Sequence, residues 1–273
     1  MSHRESNPTL EPRIRVGIGG WKYEPWCDNF YPKGWSASRE LEYASRKLTS
    51  IEVDGTYYRQ QKPETFAKWY GETPDDFVFS LKAIMYATNR RDLAQGEESA
   101  RWFLESGITQ LKEKLGPIVW QFMPTKQFRP VEFERFLRSL PSERDGWRLR
   151  HVLDVRHESF RCAEYIALAR AFDCTTVFTD STDYPALGDS TGPFVYLRLM
   201  GASSQLAQGF QPDVLDQYAA CARWWRDGNE PDGLPRIQPV PSRTAPRDVF
   251  VYFINGAKEK APHAAMALIE RLA

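Results

Sequence analysis

Short apolar runs alternate with helical stripes along most of the chain. The strand-like runs are RIRVGIGGW (13–21), LTSIEVDGTYY (48–58), FVFSLKA (77–83), GPIVWQF (116–122), LRHVLDVR (149–156), TTVFTD (175–180), PFVYLRLMG (193–201) and DVFVYFING (248–256). Each is rich in β-branched or aromatic residues and bounded by Gly, Pro or polar clusters, as expected of strands between turns. Phe133, Phe136, Leu137 and Leu140 fall at i, i+3, i+4 and i+7, the stripe of an amphipathic helix. Leu104, Ile108, Leu111 and Leu115 repeat that spacing and predict one longer helix stopped by Gly116-Pro117. Val214, Tyr218, Cys221, Ala222 and Trp225 predict another, with Pro212 in its first turn. Segments 38–48, 63–71, 162–172 and 263–272 complete the helical set.

Strands separated by helices predict parallel pairing, because parallel neighbours need crossover connections. Closing eight such units gives a single α/β domain over residues 14–273, a (β/α)8 TIM-like barrel with its chemistry at the C-terminal strand ends. Two intervals depart from the regular repeat. STDYPALGDSTG (181–192) is too short for a full helix, so the helix after strand six is reduced to a loop. The interval before strand eight carries a Pro-rich insertion, residues 231–246, that reads as an extended surface loop or linker. Residues 1–13 read as a disordered polar N-terminal arm, without the apolar stretch of a secretory signal.

Composition narrows the classes of partner. Lys+Arg and Asp+Glu cancel at 36 each, which argues against a nucleic-acid or membrane binder driven by net charge. No stretch approaches the roughly 18 apolar residues of a membrane span. Cys27, Cys162, Cys174 and Cys221 lie far apart with no C-x-x-C pair, which suits reduced thiols in a cytoplasmic protein. The P-loop, H-E-x-x-H and G-x-S-x-G motifs are absent. Of the four histidines only His157 lies at a strand end, so a zinc cluster is not expected, nor any other cofactor. An all-oxygen magnesium or manganese site through the carboxylates is the remaining metal alternative.

Polar residues gather at the C-terminal ends of these runs. Glu52, Asp54 and Thr56 alternate along the second run and so share one strand face. Ser80 and Lys82 end the third, Gln121 the fourth, and Asp154, Arg156 and His157 the fifth. Asp180 ends the sixth, Arg198 lies in the seventh and Asn255 ends the eighth. A buried charge needs a partner, so Glu52 pairing with Lys82 or Arg198 would satisfy the barrel interior whether or not it serves chemistry. The convergence of so many polar groups at one end favours a site. Glu52, Lys82, Asp154 and Asp180 are the candidate catalytic residues, as general acid, general base or charge stabiliser. Arg156 and Arg198 suit an anion clamp. Trp21, Tyr23, Trp26, Tyr57 and Tyr58 suit stacking on a ring or packing of the loops over the mouth.

Several blocks together resemble the domain-of-unknown-function 72 family (YecE-like): RVGIGGWKYEPW, FYP, IEVDGTYYR, FVFSLKA, LGPIVWQFMP, VRHESF, TDS and YFIN, in order from about Ile14 to Ala265. The resemblance implies a TIM barrel, a cytoplasmic and mostly bacterial protein, and a fold kinship with metal-dependent barrel nucleases of the endonuclease IV type. The matching positions are Gly20, Trp21, Tyr23, Glu52, Thr56, Tyr58, Arg59, Lys82, Gln121, Pro124, Arg156, His157, Ser159, Asp180, Arg198, Gly201 and Asn255. They add Arg59, Gln121, His157 and Asn255 to the substrate-binding candidates. The chain departs from the family pattern at Asp54 (usually Asn), Asp154 (usually Glu), Thr88-Asn89 (usually T-H) and Arg198-Leu199-Met200-Gly201 (usually R-x-H-G). Losing two histidines weighs against a metal nuclease.

The expected function is that of a hydrolase or isomerase acting on a small polar, sugar-like or phosphorylated substrate. The alternatives are a non-catalytic small-ligand binding protein and a divalent-metal-dependent, nuclease-like barrel. On the first reading Glu52→Gln abolishes turnover and shifts stability by no more than about a kcal/mol.

Overall fold

Eight parallel strands close on themselves in chain order, each paired with its sequence neighbours and the last with the first. They are β1 Ile14–Gly19, β2 Ser50–Val53, β3 Val78–Lys82, β4 Leu115–Gln121, β5 Arg150–Asp154, β6 Thr175–Thr179, β7 Val195–Leu199 and β8 Val249–Phe253. A computed structural model describes residues 13–239 and 245–273. All but the last residue of the expected N-terminal arm, and part of the Pro-rich insertion, lie outside the described residues.

The period of two divides each strand between two cores. Ile51, Val53, Phe79, Leu81, Leu153, Leu197 and Leu199 point outward and pack under the helices. Val78, Val119, Val152, Val177, Tyr196 and Tyr252 point inward and fill the barrel. The same alternation therefore sends Ser50 and Glu52, Ser80 and Lys82, Asp154 and Arg198 inward as well. Valines and phenylalanines occupy the lower interior, hydroxyls follow, and charges lie at the top. Gly17 is required where β1 approaches β2, because a Cβ there would lie 2.0 Å from the Ser50 carbonyl oxygen.

The surrounding helices are α1 Glu40–Lys47, the single turn α2 Gly55–Tyr58, α3 Pro63–Glu72, α4 Glu97–Leu104, α5 Pro130–Ser139, α6 Ala163–Ala171, α7 Pro212–Arg226 and α8 Ala261–Leu272. Prolines at the first turns of α3, α5, α7 and α8 cost no hydrogen bond there, since those N–H groups have no partner within the helix. No helix separates β6 from β7, as the short interval predicts.

Three elements differ from expectation. The second strand stops at Val53 and the chain turns into α2, so Thr56 leaves the strand face and its hydroxyl donates instead to the Lys82 carbonyl at 2.7 Å. The expected long helix through Leu104 and Leu115 is broken at Gly107, which adopts φ 94°. A Cβ there would lie 2.7 Å from the Pro63 ring. A 3-10 segment, Ile108–Lys114, follows, and Leu115 begins β4. The stripe marks burial correctly, with Leu104, Ile108, Leu111 and Leu115 all inside, while continuity fails at the glycine. Finally, Glu143–Arg144 and Trp147–Arg148 form a small antiparallel ribbon across Asp145-Gly146, whose φ values of 50° and 80° suit a tight hairpin turn.

Candidate active site at the barrel mouth

Arg198 on β7 stands at the centre of the upper interior, 1% exposed. Its Nε and Nη2 donate to the two oxygens of Glu52 on β2 at 3.0 and 2.9 Å, a bidentate pair. Its Nη1 donates to Asp154 Oδ2 on β5 at 2.5 Å. The Tyr196 hydroxyl, two residues below on the same strand, donates to Glu52 Oε2 at 2.7 Å. Arg156 reaches the same Asp154 oxygen with Nε and Nη2 at 3.1 and 3.0 Å, and also the Gln121 side-chain oxygen at 3.0 Å. Its guanidinium lies over the Tyr184 ring, 4.5 Å from the centroid. Burial alone would lower the Arg198 pKa, but the Glu52 and Asp154 carboxylates outweigh it and hold the guanidinium more firmly protonated than usual.

Lys82, at the end of β3, is 5% exposed. Its Nζ sits 3.3 Å from Asp54 Oδ1 and 4.3 Å above the Tyr57 ring. Burial, then the like charge of Arg198, pulls its pKa below the ordinary lysine value, against the opposing pull of Asp54, Glu52 and Asp154. Asp54 also faces Lys258, whose Nζ lies 3.9 Å from Oδ2 and over the Tyr23 ring at 5.2 Å. Asp54 lines a pocket of about 280 Å³ walled by Gly19, Gly20, Trp21, Lys22, Tyr58 and Lys258. A Cβ on Gly19 would lie 3.1 Å from Asp54 Oδ2 and press the carboxylate aside by a few tenths of an ångström, and Gly20 adopts φ 73°, a backbone that favours glycine.

The sequence candidates therefore divide. Glu52, Lys82, Gln121, Asp154, Arg156 and Arg198 gather in or against one charged layer, and Trp21 and Tyr58 line the pocket beside it. Asp180 lies apart, accepting from the Met200 and Gly201 backbone N–H groups at 2.5 and 3.1 Å and from the Tyr218 hydroxyl at 3.0 Å. The His157 ring accepts from the Ser159 backbone N–H at 3.1 Å, which caps a local turn. Arg59 and Asn255 are exposed, and Tyr23 packs on Trp26 beneath Lys258. Tyr184, Tyr196 and Lys258 are participants that the candidate set omits. Tyr196 and Tyr252 read as ordinary strand apolar residues. Only the inward parity they share with Arg198 marks them.

The donor set does not fit a divalent metal. Both oxygens of Glu52 and one of Asp154 are held by arginine, and Asp54 stands between two ammonium groups. His151 is turned away from the mouth, with Nδ1 accepting from the Trp120 indole at 3.0 Å and Nε2 donating to the Pro141 carbonyl at 2.7 Å. Among the described residues no group of three or more His, Cys, Asp or Glu side chains is gathered to hold an ion.

A closed eight-stranded parallel barrel with surrounding helices and a charged C-terminal mouth defines a TIM-like (β/α)8 protein. The profile of the family described as "Protein of unknown function DUF72" matches residues 15–273, and the chain belongs to that family. It is similar to the UPF0759 protein YecE of Escherichia coli (strain K12), 27% identical over 150 residues, which cover 54% of this chain and 50% of YecE. It is also similar to the UPF0759 protein YunF of Bacillus subtilis (strain 168), 28% identical over 41% of this chain and 40% of YunF. The matched stretches thus span half or less of these curated relatives. A DUF72 family protein from Thermotoga maritima shares the fold with a TM-score of 0.70 at 20% identity, over 95% of this chain and 98% of that one. No helix among the described residues is long and apolar enough to cross a membrane.

Proposed function

We propose that this protein is an enzyme that moves a proton on a small polar, sugar-like or phosphorylated substrate held in the pocket beside Asp54. The observation that carries this reading is Lys82: an amine whose proton affinity is reduced by burial, at the end of a barrel strand, 3.3 Å from a carboxylate that lines an open pocket. Such an amine gives up and recovers a proton more readily near neutrality than an ordinary lysine. Lys82 transfers the proton, and Asp54, partly exposed to the pocket, relays it. Trp21 and Tyr58 offer ring faces to a sugar, and Lys22 and Lys258 offer positive charge to an anionic substituent.

Glu52 and Asp154 then serve as positioning residues that hold Arg198 and Arg156, and Asp180 as an anchor for the loop after β7. Four free cysteines suit a cytoplasmic setting. The test is proton exchange in D2O across a panel of aldose, ketose and phosphorylated sugars, followed by NMR. Lys82→Met is expected to slow exchange on the order of 10²–10⁴-fold. Exchange that persists in Lys82→Met, or ligands that stabilise the protein without any turnover, would overturn the enzymatic reading in favour of a binding protein.

A further inference from the structure

A second cavity, of about 590 Å³, opens between the loops that follow β3 and β4, on the same face of the barrel as the mouth. Its walls carry Arg90, Arg91, Lys126 and Arg129 beside Met85 and Met123. Lys126 is engaged by Glu132 and by the Arg91 carbonyl. Among the described residues Arg90, Arg91 and Arg129 make no ion pair with a carboxylate. Three exposed guanidinium groups in the lining of one cavity, with no carboxylate in that lining, give it a positive potential that favours an anion. The N-terminus of α5, ten residues long, begins at the same wall, directly after Arg129. The dipole of that helix adds to the positive potential. Glu132, the carboxylate in that first turn, is neutralised by Lys126.

The cavity is joined to the charged layer by Asn89. Its Nδ2 donates to the Tyr57 hydroxyl at 3.0 Å, and the Tyr57 ring carries Lys82 on its face. Asn89 Oδ1 is buried without a protein partner among the described residues. Turning the amide over would pair Oδ1 with Tyr57 and orphan Nδ2 instead, so one polar atom of this lining residue lacks a protein partner either way. Thr88 braces the other side, its hydroxyl donating to the Gln121 carbonyl at 2.5 Å, while the Gln121 side chain receives Arg156.

We infer that this groove is a phosphate-binding subsite, and that the protein's ligand is an extended phosphorylated molecule. Its phosphate lies among Arg90, Arg91 and Arg129, and a hydroxyl of its sugar-like body meets Asn89. The inference rests on the mouth being the reacting site, but the groove is testable without it. Inorganic pyrophosphate is the probe, measured by calorimetry against the full chain at low salt, with sulfate at matched ionic strength as the control. Wild type and Lys82→Met are expected to bind pyrophosphate with Kd below about 1 mM. The double variant Arg91→Ala/Arg129→Ala, altered only at exposed side chains, is expected to lose at least about tenfold. Pyrophosphate that does not bind, that binds no better than sulfate, or that binds the double variant as well as wild type overturns the subsite. If the double variant loses pyrophosphate while proton exchange survives in Lys82→Met, the groove stands and the mouth reading fails. If Lys82→Met abolishes exchange while the double variant binds normally, the groove alone fails.

Discussion

Replacing Glu52 by glutamine removes one charge from the most buried ion pair among the described residues and keeps the shape of the side chain. Glu52 is 0% exposed, and its carboxylate accepts three hydrogen bonds, two from Arg198 and one from the Tyr196 hydroxyl. Each bond to a charged group contributes about 1.5–3 kcal/mol. The amide keeps one oxygen but turns an NH2 toward a guanidinium, so at least one bond is lost and donors face each other. Leaving a buried charge short of its partner typically costs about 3–5 kcal/mol. Asp154 still contacts Arg198 at 2.5 Å, which places the expected cost toward the lower end of that range.

For a chain of this length each kcal/mol lowers the melting temperature by a little under about 2 °C, so Glu52→Gln should melt about 5 °C below wild type. Equilibrium urea unfolding at neutral pH, with proton exchange measured on the folded fraction, separates stability from chemistry. A variant that keeps its stability within about 1 kcal/mol and still loses all turnover would refute the reasoning and make Glu52 a reacting group. That second outcome is what the sequence alone leads one to expect. The opposite outcome is expected here because arginine and tyrosine occupy both oxygens of the carboxylate.

The rate of the Lys82-dependent step should rise with pH through an apparent pKa below 10.5, the ordinary lysine value, and a pH–rate profile in which Lys82→Met keeps the same limb would reassign the titration. Burial holds the His151 pKa down to about 4 in the folded protein, against 6.5 for a free imidazole, so the unfolded chain binds this proton more readily. Its stabilising effect is complete above pH 6.5 and is lost as pH falls from there toward 4, a difference of about 3 kcal/mol. His151→Gln, which retains one acceptor and one donor, should flatten that part of the stability curve as read by chemical unfolding across pH. Asp180→Asn weakens the anchor on the Met200 and Gly201 N–H groups and should cost about 1–2 kcal/mol, with proton exchange per folded molecule nearly unchanged; a loss of exchange at unchanged stability would restore Asp180 to the reaction.

Most of the architecture was legible because barrel strands here are buried on both faces and read as apolar runs with polar C-terminal ends. The interval from Asp180 to Phe194 was legible as a loop because it is too short to carry a crossover helix. What periodicity could not show was where an element stops. Asp54 ends the strand by taking a helical φ and ψ, and Gly107 stops a helix that its apolar stripe continues on paper. The charged layer was legible by parity, since inward positions at the tops of β2, β3, β5 and β7 must share one space. Its internal assignment was not, because sequence fixes no distances. Nothing in the chain indicates that Arg198 takes Glu52 and Asp154 together while Lys82 is left to Asp54. Asp180 illustrates the converse: a carboxylate at a strand end looks the same whether it faces a substrate or two backbone N–H groups.

The balance of charge explains why the proposed reacting site and the proposed anion site are separate places. In the layer across the barrel, three cations, Lys82, Arg156 and Arg198, face three carboxylates, Glu52, Asp54 and Asp154. A phosphate brought into that layer would have to displace a carboxylate from an arginine, and it would gain little where opposite charges already cancel. Unbalanced positive charge lies instead on the rim, at Lys258 and Lys22, and in the groove at Arg90, Arg91 and Arg129. On the proposed reading, an anionic ligand is captured outside the neutral layer, with only its uncharged portion turned toward Lys82 and Asp54. On that reading burial of Lys82 serves the proposed proton step, because a neutral substrate portion excludes water from the amine without adding a charge that would raise its pKa again. Because capture is by exposed guanidinium groups, ligand affinity should fall with salt, while the Lys82 proton step, shielded inside the barrel, should respond to salt far less.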